Sequence, residues 1–167
     1  MKELRFFEET AGNYGLDLAA VGPGERVFGP NVTTRGYIDL FDSFAAQPEQ
    51  KEEESRSLFD GLVVLWATEQ AYLAAWTYAK GHSPQEVADV EKDLDGGALR
   101  KHFIQNWTSR SFQDFVKEIR ECLDAYAEGL TGEDNADARF ATAAAMTKKV
   151  FVLEEGFWPV VGEDEDA

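Results

Sequence analysis

The sequence has few of the residues on which metal and redox chemistry depend. It contains one cysteine, Cys122, and two histidines, His82 and His102. A single cysteine cannot close an internal disulfide, which indicates a reducing compartment. A di-iron site in a helical bundle needs Glu-x-x-His pairs, but Ala79 and Leu99 stand three residues before the histidines. We therefore predict neither a metal site nor a cofactor.

Positive charge and long apolar runs are also scarce. The chain has 16 Lys and Arg residues against 32 Asp and Glu residues, a net charge of −16. Such a charge repels phosphate backbones and anionic membranes, so neither nucleic acid nor a membrane is an expected partner. No stretch approaches the roughly 20 apolar residues of a membrane span, and the first residues lack a signal-peptide core. These absences predict a cytoplasmic protein.

Helical periodicity dominates what the sequence does contain. The length of 167 residues and the 44% hydrophobic content suit one domain with a substantial core. Apolar residues recur every three or four positions, as in an amphipathic helix, and no convincing strand pattern appears. We predict an all-α helical bundle, with one domain over residues 1–160 and an acidic tail over 161–167. The expected helices cover about residues 1–14, 34–46, 48–80, 98–107, 112–126 and 134–157.

Local signals mark several helix ends. Gly15 fits the end of the first helix. Residues 83–86 (SPQE) form a capping box with proline in the first turn, and Ser111 resembles a second cap because Asp114 follows three residues later. Pro159 is expected to stop the last helix.

Two carboxylates interrupt otherwise apolar helical stripes. Glu69 belongs to the stripe Leu58, Leu62, Leu65, Glu69, Tyr72 and Trp76. Glu154 belongs to the stripe Phe140, Ala144, Thr147, Phe151, Glu154 and Trp158. A carboxylate on a buried face is unfavourable unless it is paired, hydrogen-bonded or protonated, and such groups gather at functional sites. The alternative is structural: a buried tyrosine or arginine satisfies each acid, or the acid lies at the helix edge.

Aromatic and hydroxyl side chains accompany these acids. With Glu69 and Glu154, a pocket lined by Tyr37, Thr68, Tyr72, Trp66 and Trp107 suits a flat, nitrogen-bearing ring. Aromatic faces would stack on the ring, and a carboxylate would pair with its amine or transfer a proton during hydrolysis. Core packing is the alternative role for each aromatic residue.

Three segments resemble the TenA/THI-4 family. They are residues 151–158 (FVLEEGFW), with a Glu three residues before Phe-Trp, residues 65–72 ending at a Tyr, and residues 103–112 (FIQNWTSRSF). The resemblance implies a haem-oxygenase-like helical bundle and thiamin salvage, in which an aminopyrimidine is hydrolysed. By this resemblance Glu154 matches the catalytic Glu, and Tyr37 matches an active-site Tyr.

The chain departs from that family at other positions. Thr68 stands where many members carry a nucleophilic Cys, and Trp107 stands in place of a Tyr. The resemblance therefore implies non-covalent hydrolysis with Glu154 and Glu69 as catalytic residues. Tyr37, Thr68, Tyr72 and Trp107 would then bind the pyrimidine.

Two further expectations follow from the same comparison. The chain resembles a truncated member without the family's first helices, and a second copy is expected to cover the exposed apolar face, giving a homo-oligomer. The alternatives are a non-catalytic protein that binds a small heteroaromatic ligand or mediates assembly, and a plain helical interaction module.

Overall fold

The computed structural model describes residues 2–20, 29–45, 57–83 and 90–158. Throughout these ranges the regular structure is helical and contains no β-strand, which confirms the all-α class for this part of the chain. None of these helices combines the length and apolar character that crossing a membrane requires. The helices are α1 (Lys2–Asn13), α2 (Val32–Asp42), α3 (Leu58–His82), α4 (Ile104–Trp107), α5 (Arg110–Leu130) and α6 (Ala136–Phe157).

Two short helical turns precede α4. One is a 3-10 turn, Val90–Lys92, and the other is a π-helical turn, Leu99–Phe103, which continues directly into α4. The predicted helix over residues 98–107 is therefore present, but its first half is wound more widely than an α-helix.

The end of α1 follows the sequence signal at Gly15. Gly15 has a φ of +69°, a left-handed conformation that residues with a Cβ adopt only with strain. The Leu16 N–H donates to the Ala11 carbonyl at 2.9 Å, and the Gly15 N–H donates to the Gly12 carbonyl at 3.2 Å. These two bonds form a Schellman motif, which satisfies carbonyls that the last turn of a helix leaves open.

The helix starts differ in part from the sequence prediction. Helix α2 begins at Val32, two residues earlier than expected, because the Asn31 side chain accepts the Thr34 N–H at 2.8 Å. At α5 the Phe112 N–H donates to Ser109 Oγ at 3.2 Å, so the cap is Ser109 rather than Ser111.

Helix α3 begins with a reciprocal cap that the sequence analysis missed. The Ser57 N–H donates to Asp60 Oδ2 at 3.0 Å, and the Asp60 N–H donates to Ser57 Oγ at 3.2 Å. The earlier start predicted near Pro48 and the SPQE box beyond Ser83 lie outside the described residues.

The chain divides into two compact units. Unit 1 consists of Met1–Gly29 and Tyr72–Asp114, and unit 2 consists of Pro30–Ala71 and Phe115–Ala167. Helices α3 and α5 each contribute one segment to each unit. Each unit has its own set of buried side chains.

Unit 2 is built around an aliphatic core with one buried phenylalanine. Removing a valine or leucine side chain from water contributes about 1.5–3 kcal/mol, so this cluster is the main driving force for packing the unit. Partly buried residues, including Tyr37 and Leu153, pack against it. The core side chains come from α2, α3, α5 and α6 and are Leu40, Phe59, Val63, Val64, Ala67, Leu130, Ala143, Met146 and Val150.

Unit 1 is built around aromatic rings. Trp76 and Trp107 are both buried, and their rings stack with centroids 5.6 Å apart. Offset or edge-on aromatic pairs contribute about 0.5–1.5 kcal/mol beyond the area they bury. The clustered rings are Phe6, Phe7, Tyr72, Trp76, Phe103 and Trp107.

A bidentate ion pair stabilises the segment before α4. Arg100 donates to both carboxylate oxygens of Asp93, from Nε at 2.6 Å and from Nη2 at 2.7 Å. The hydrogen bond from Arg100 holds the pKa of Asp93 below its usual value, and Asp93 raises the pKa of Arg100. Because the folded-state pKa of Asp93 is depressed, its stabilisation is complete above the unfolded-state pKa and disappears as the pH falls through the folded-state pKa.

The first prediction concerns two glycines of the α1 terminus. Gly15→Ala should lower the free energy of unfolding by about 1–2 kcal/mol, because alanine is strained at positive φ. Gly12→Ala is the matched control: a Cβ there meets nothing within 4 Å, and alanine should stabilise the helix by up to about 1 kcal/mol. Urea unfolding of both variants measures the difference, and equal effects would contradict the Schellman assignment.

The second prediction concerns pH. Asp93→Asn should lower the thermal midpoint at pH 7, and the difference from the unmodified protein should shrink below about pH 4 as the carboxylate becomes protonated. Asp124→Asn is the control, because Asp124 pairs with Arg120 at 3.6 Å with both side chains exposed, and should change the midpoint little. A difference for Asp93→Asn that stays constant from pH 7 to pH 3 would exclude the ion pair as its source.

Candidate functional site

Glu154 is buried in unit 2, and both of its carboxylate oxygens accept hydrogen bonds. Its side chain lies on α6, with the residue 6% exposed. The Tyr37 hydroxyl on α2 donates to Oε1, and the Trp158 indole N–H donates to Oε2 at 3.2 Å. Two hydrogen-bond donors replace much of the stabilisation that a carboxylate loses when it leaves water. These three residues, Tyr37, Glu154 and Trp158, are named the Glu154 cluster.

Close packing of α2 on α6 surrounds this cluster. Gly36 permits the approach, because a Cβ at that position would lie 2.7 Å from Leu153 Cδ2. The Thr33 hydroxyl donates to the Gly156 carbonyl at 3.1 Å. The Tyr37 ring also stacks on Phe41, with centroids 5.9 Å apart. The Glu154 cluster therefore lies in a closely packed helix contact.

The structure brings together two of the residues that the sequence analysis assigned to a site. Tyr37 and Glu154 are 117 positions apart in the chain and hydrogen-bonded in the fold. Trp158 was recognised as part of the α6 stripe, although no role was assigned to it. The sequence signal for a contact between Trp158 and Glu154 was their spacing of four residues, which places the two side chains on the same helix face.

The other predicted site residues are distributed over both units. In unit 2 the Thr68 hydroxyl donates to the Val64 carbonyl of its own helix at 2.9 Å, and Glu69 lies half-buried on α3. In unit 1 the Tyr72 and Trp107 rings meet edge-on, with centroids 5.8 Å apart. Trp107 is only 3% exposed and belongs to the aromatic core of that unit.

Unit 1 contains a cleft of about 660 Å³ that the sequence analysis did not find. Its volume lies within the range of small-molecule and peptide-side-chain pockets. One wall is the apolar face of α1, and the other is formed by the segment before and within the π-helical turn. Most lining side chains are apolar: Phe7, Thr10, Ala11, Tyr14, Leu16, Leu18, Leu94, Asp95, Gly96, Ala98, Leu99 and Phe103.

Four leucines at the cleft are exposed to solvent. Leu16 and Leu18 are 65% and 66% exposed, Leu94 is fully exposed, and Leu99 is 48% exposed. We name these four residues the leucine rim. Single exposed leucines are common on protein surfaces, but a group of them around a cleft is typical of a binding surface.

Two acidic side chains, Asp17 and Asp95, lie beside the leucine rim, and the basic residues Arg100 and Lys101 directly follow Leu99. Asp17 Oδ1 accepts the Ala19 N–H at 2.9 Å. The two oxygens of Asp95 accept the Gly97 N–H at 2.9 Å and the Leu99 N–H at 2.7 Å. Neither carboxylate forms an ion pair within the described part of the chain. The hydrogen bond to Asp93 and, to a lesser extent, the charge of Asp95 nevertheless raise the pKa of Arg100, so Asp95 has a cation nearby.

One signal in the sequence points to the cleft. The stripe Leu4, Phe7, Ala11 and Tyr14 predicts an apolar face on α1, and that face forms a cleft wall. The opposite wall has no such pattern, because residues 94–97 lie in turns and Leu99 begins the π-helical turn. In the four ranges that the structure describes, no group of three or more His, Cys, Asp and Glu residues is arranged to hold a metal ion.

Comparison with known proteins gives one named relative at moderate identity. The chain is similar to a protein named "Probable transcription factor" from Fusarium pseudograminearum (strain CS3096), with 31% identity over 163 residues. The match covers 81% of this chain and 30% of that protein, so the chain spans about 30% of the length of this curated relative. No protein-family model and no solved structure matches the chain.

This result corrects the family prediction. Nothing in the similarity indicates the TenA/THI-4 family, and the resemblance read from residues 65–72, 103–112 and 151–158 is wrong. Those segments are largely helical and rich in aromatic residues. This pattern recurs in unrelated helical proteins because the same spacing buries the same kind of face.

The third prediction tests the Glu154 cluster. Tyr37→Phe removes one donor from a buried carboxylate and should lower the free energy of unfolding by about 1–3 kcal/mol. Tyr78→Phe is the matched control, because Tyr78 is 69% exposed, and should change stability by less than about 0.5 kcal/mol.

A double-mutant cycle with Glu154→Gln isolates the interaction. The two substitutions should be non-additive, because Tyr37→Phe removes the donor of this hydrogen bond and Glu154→Gln removes the charge on its acceptor. Additive effects in urea unfolding would show that Tyr37 and Glu154 do not interact in solution.

Proposed function

We propose that this chain is a non-catalytic helical domain that binds protein partners in transcription regulation. The observation that carries the non-catalytic assignment is the engagement of both Glu154 oxygens by Tyr37 and Trp158. A general acid or base needs an oxygen within hydrogen-bond reach of the substrate, and these oxygens are directed at donors of their own unit.

The similar protein suggests that the process is the regulation of transcription. That protein is named a probable transcription factor, and 81% of this chain aligns with part of it. Transcription factors combine surfaces that contact DNA with surfaces that contact other proteins, so an aligned portion can serve either purpose. The charge and exposed leucines of this chain support the second purpose.

The charge of the chain favours a protein partner over DNA. A net charge of −16 repels a phosphate backbone. The leucine rim is the kind of exposed apolar group that another protein covers. Acidic surroundings with an apolar centre match the usual organisation of a protein-binding surface.

The fourth prediction tests this proposal by tethering. The chain, fused to a DNA-binding domain that recognises a known operator, should change transcription of a reporter carrying that operator. The DNA-binding domain alone sets the baseline. A fusion carrying Val150→Asp should lose the effect at equal expression, because Val150 is fully buried in the unit 2 core and a charge there prevents folding.

Two results would contradict the proposal. One is an unchanged reporter with a fusion that is expressed and folded. The other is release of ammonia from an aminopyrimidine by the purified chain, lost in Glu154→Gln, which would establish the hydrolase predicted from the sequence.

Several sequence predictions remain predictions beside this proposal. They include hydrolysis by Glu154 and Glu69, binding of a small heteroaromatic ligand, a homo-oligomer, a haem-oxygenase-like arrangement of the helices and a cytoplasmic location. Action on transcription requires access to chromosomal DNA, and microscopy of a fluorescent fusion measures where the protein resides.

A further inference from the structure

We infer that the unit 1 cleft binds an amphipathic helix of a partner protein, with leucine-like anchors and flanking Lys or Arg residues. The inference rests on the proposed function, because it names the surface and the chemistry of the protein partner. It follows from three properties of the cleft: its exposed leucines, its shape along α1 and its charge.

The leucine rim indicates a partner larger than a small molecule. A ligand that filled only the cleft of about 660 Å³ would leave the outer faces of Leu94 and Leu18 in water. A protein segment covers both the cleft and its rim, as an interface core surrounded by polar residues does. The leucines then change from an exposed apolar group into buried contacts.

The cleft wall on α1 has the length that a short helix recognises. Phe7, Ala11 and Tyr14 line the cleft at spacings of four and three, and they extend about 10 Å along the helix axis. Anchors at positions i, i+4 and i+7 of a partner helix cover the same distance. Addition of a partner strand is not available, because the described ranges contain no sheet edge to extend.

The acidic groups select a basic partner. Asp17 and Asp95 lie among or beside the lining residues, and neither forms an ion pair within the described ranges. A second copy of this chain would carry the same net charge of −16, so long-range charge repulsion disfavours self-association. Lys or Arg residues flanking the apolar anchors would instead meet the negative charge of Asp17, whereas Asp95 already lies near Arg100.

The fifth prediction uses two fluorescein-labelled helical peptides as probes. Both carry leucines at i, i+4, i+7 and i+11, and they differ only in having Lys or Glu at the polar positions. The Lys peptide should bind the full chain saturably at a 1:1 ratio, measured by fluorescence anisotropy, and should bind more weakly as salt rises. The Glu peptide should bind at least about tenfold more weakly.

Substitutions locate the binding surface. Leu18→Glu and Leu99→Glu should each lower the affinity for the Lys peptide by about tenfold or more, because each removes an apolar contact from the interface. Leu58→Glu is the matched control: Leu58 is a leucine of unit 2, 68% exposed, and its substitution should leave the affinity unchanged. Circular dichroism of each variant establishes that its helices persist.

Asp17→Asn tests the charge separately. Asparagine keeps the side-chain oxygen that accepts the Ala19 N–H but removes the negative charge. The affinity for the Lys peptide should fall by about two- to fivefold, and its salt dependence should decrease. An unchanged affinity would show that Asp17 takes no part in selecting the partner.

Three results would overturn the inference. They are the absence of saturable binding by the Lys peptide, equal binding of both peptides, and unchanged binding in both leucine variants. Sedimentation that shows a dimer, lost in Leu18→Glu, would also overturn it by making a second copy the occupant.

The tethered reporter separates failure of this inference from failure of the proposed function. If the reporter responds equally to the unmodified chain and to the Leu18→Glu, Leu99→Glu double variant, the protein-binding role stands. The cleft is then excluded as the binding surface. A reporter that responds to neither, with both fusions folded, excludes the role itself.

Discussion

The packing of unit 2 depends on one buried carboxylate and the two groups that donate to it. Glu154 would destabilise an apolar helix contact if it were left without partners, since an unsatisfied charge in low dielectric is strongly unfavourable. Tyr37 and Trp158 supply the donors. Because the tyrosine hydroxyl reaches the carboxylate from α2 to α6 in one geometry, the same interaction that satisfies the charge also fixes which faces of the two helices meet.

This structural role of Glu154 changes how a buried acid in this helix is interpreted. A carboxylate among aromatic residues is compatible with acid–base chemistry and with a structural hydrogen bond, and its surroundings decide between them. Here the donors are side chains of the same unit. The proposed recognition surface lies in unit 1, where exposed leucines surround an apolar cleft and Asp17 forms no ion pair in the described ranges. The proposed function therefore rests on this surface rather than on the core.

Local features of the sequence were predicted more accurately than long-range ones. The end of α1 at Gly15 follows from residues within one helical turn and is present. Glu154 is buried as predicted, but it shares its buried face with Met146 and Val150, whereas Phe151 of the predicted stripe is exposed. The cap of α5 was placed at Ser111 although Ser109 fills it, because two serines compete within three residues. The TenA/THI-4 resemblance was wrong for a different reason: aromatic residues at helical spacing record burial, which many unrelated helical proteins share.

The sequence by itself determined the helical class and several helix ends, but not the buried face of each helix, because Leu58, Leu65 and Phe151 of the predicted stripes are exposed. These properties depend on backbone preferences and on a period of 3.6 residues, both of which act over a few positions. Only the tertiary structure decided that Tyr37 meets Glu154 across 117 positions, and that Leu16, Leu18, Leu94 and Leu99 gather beside one cleft. These long-range contacts depend on the path of the chain between distant segments. Packing selects one of many helix pairings that the local sequence pattern allows equally well.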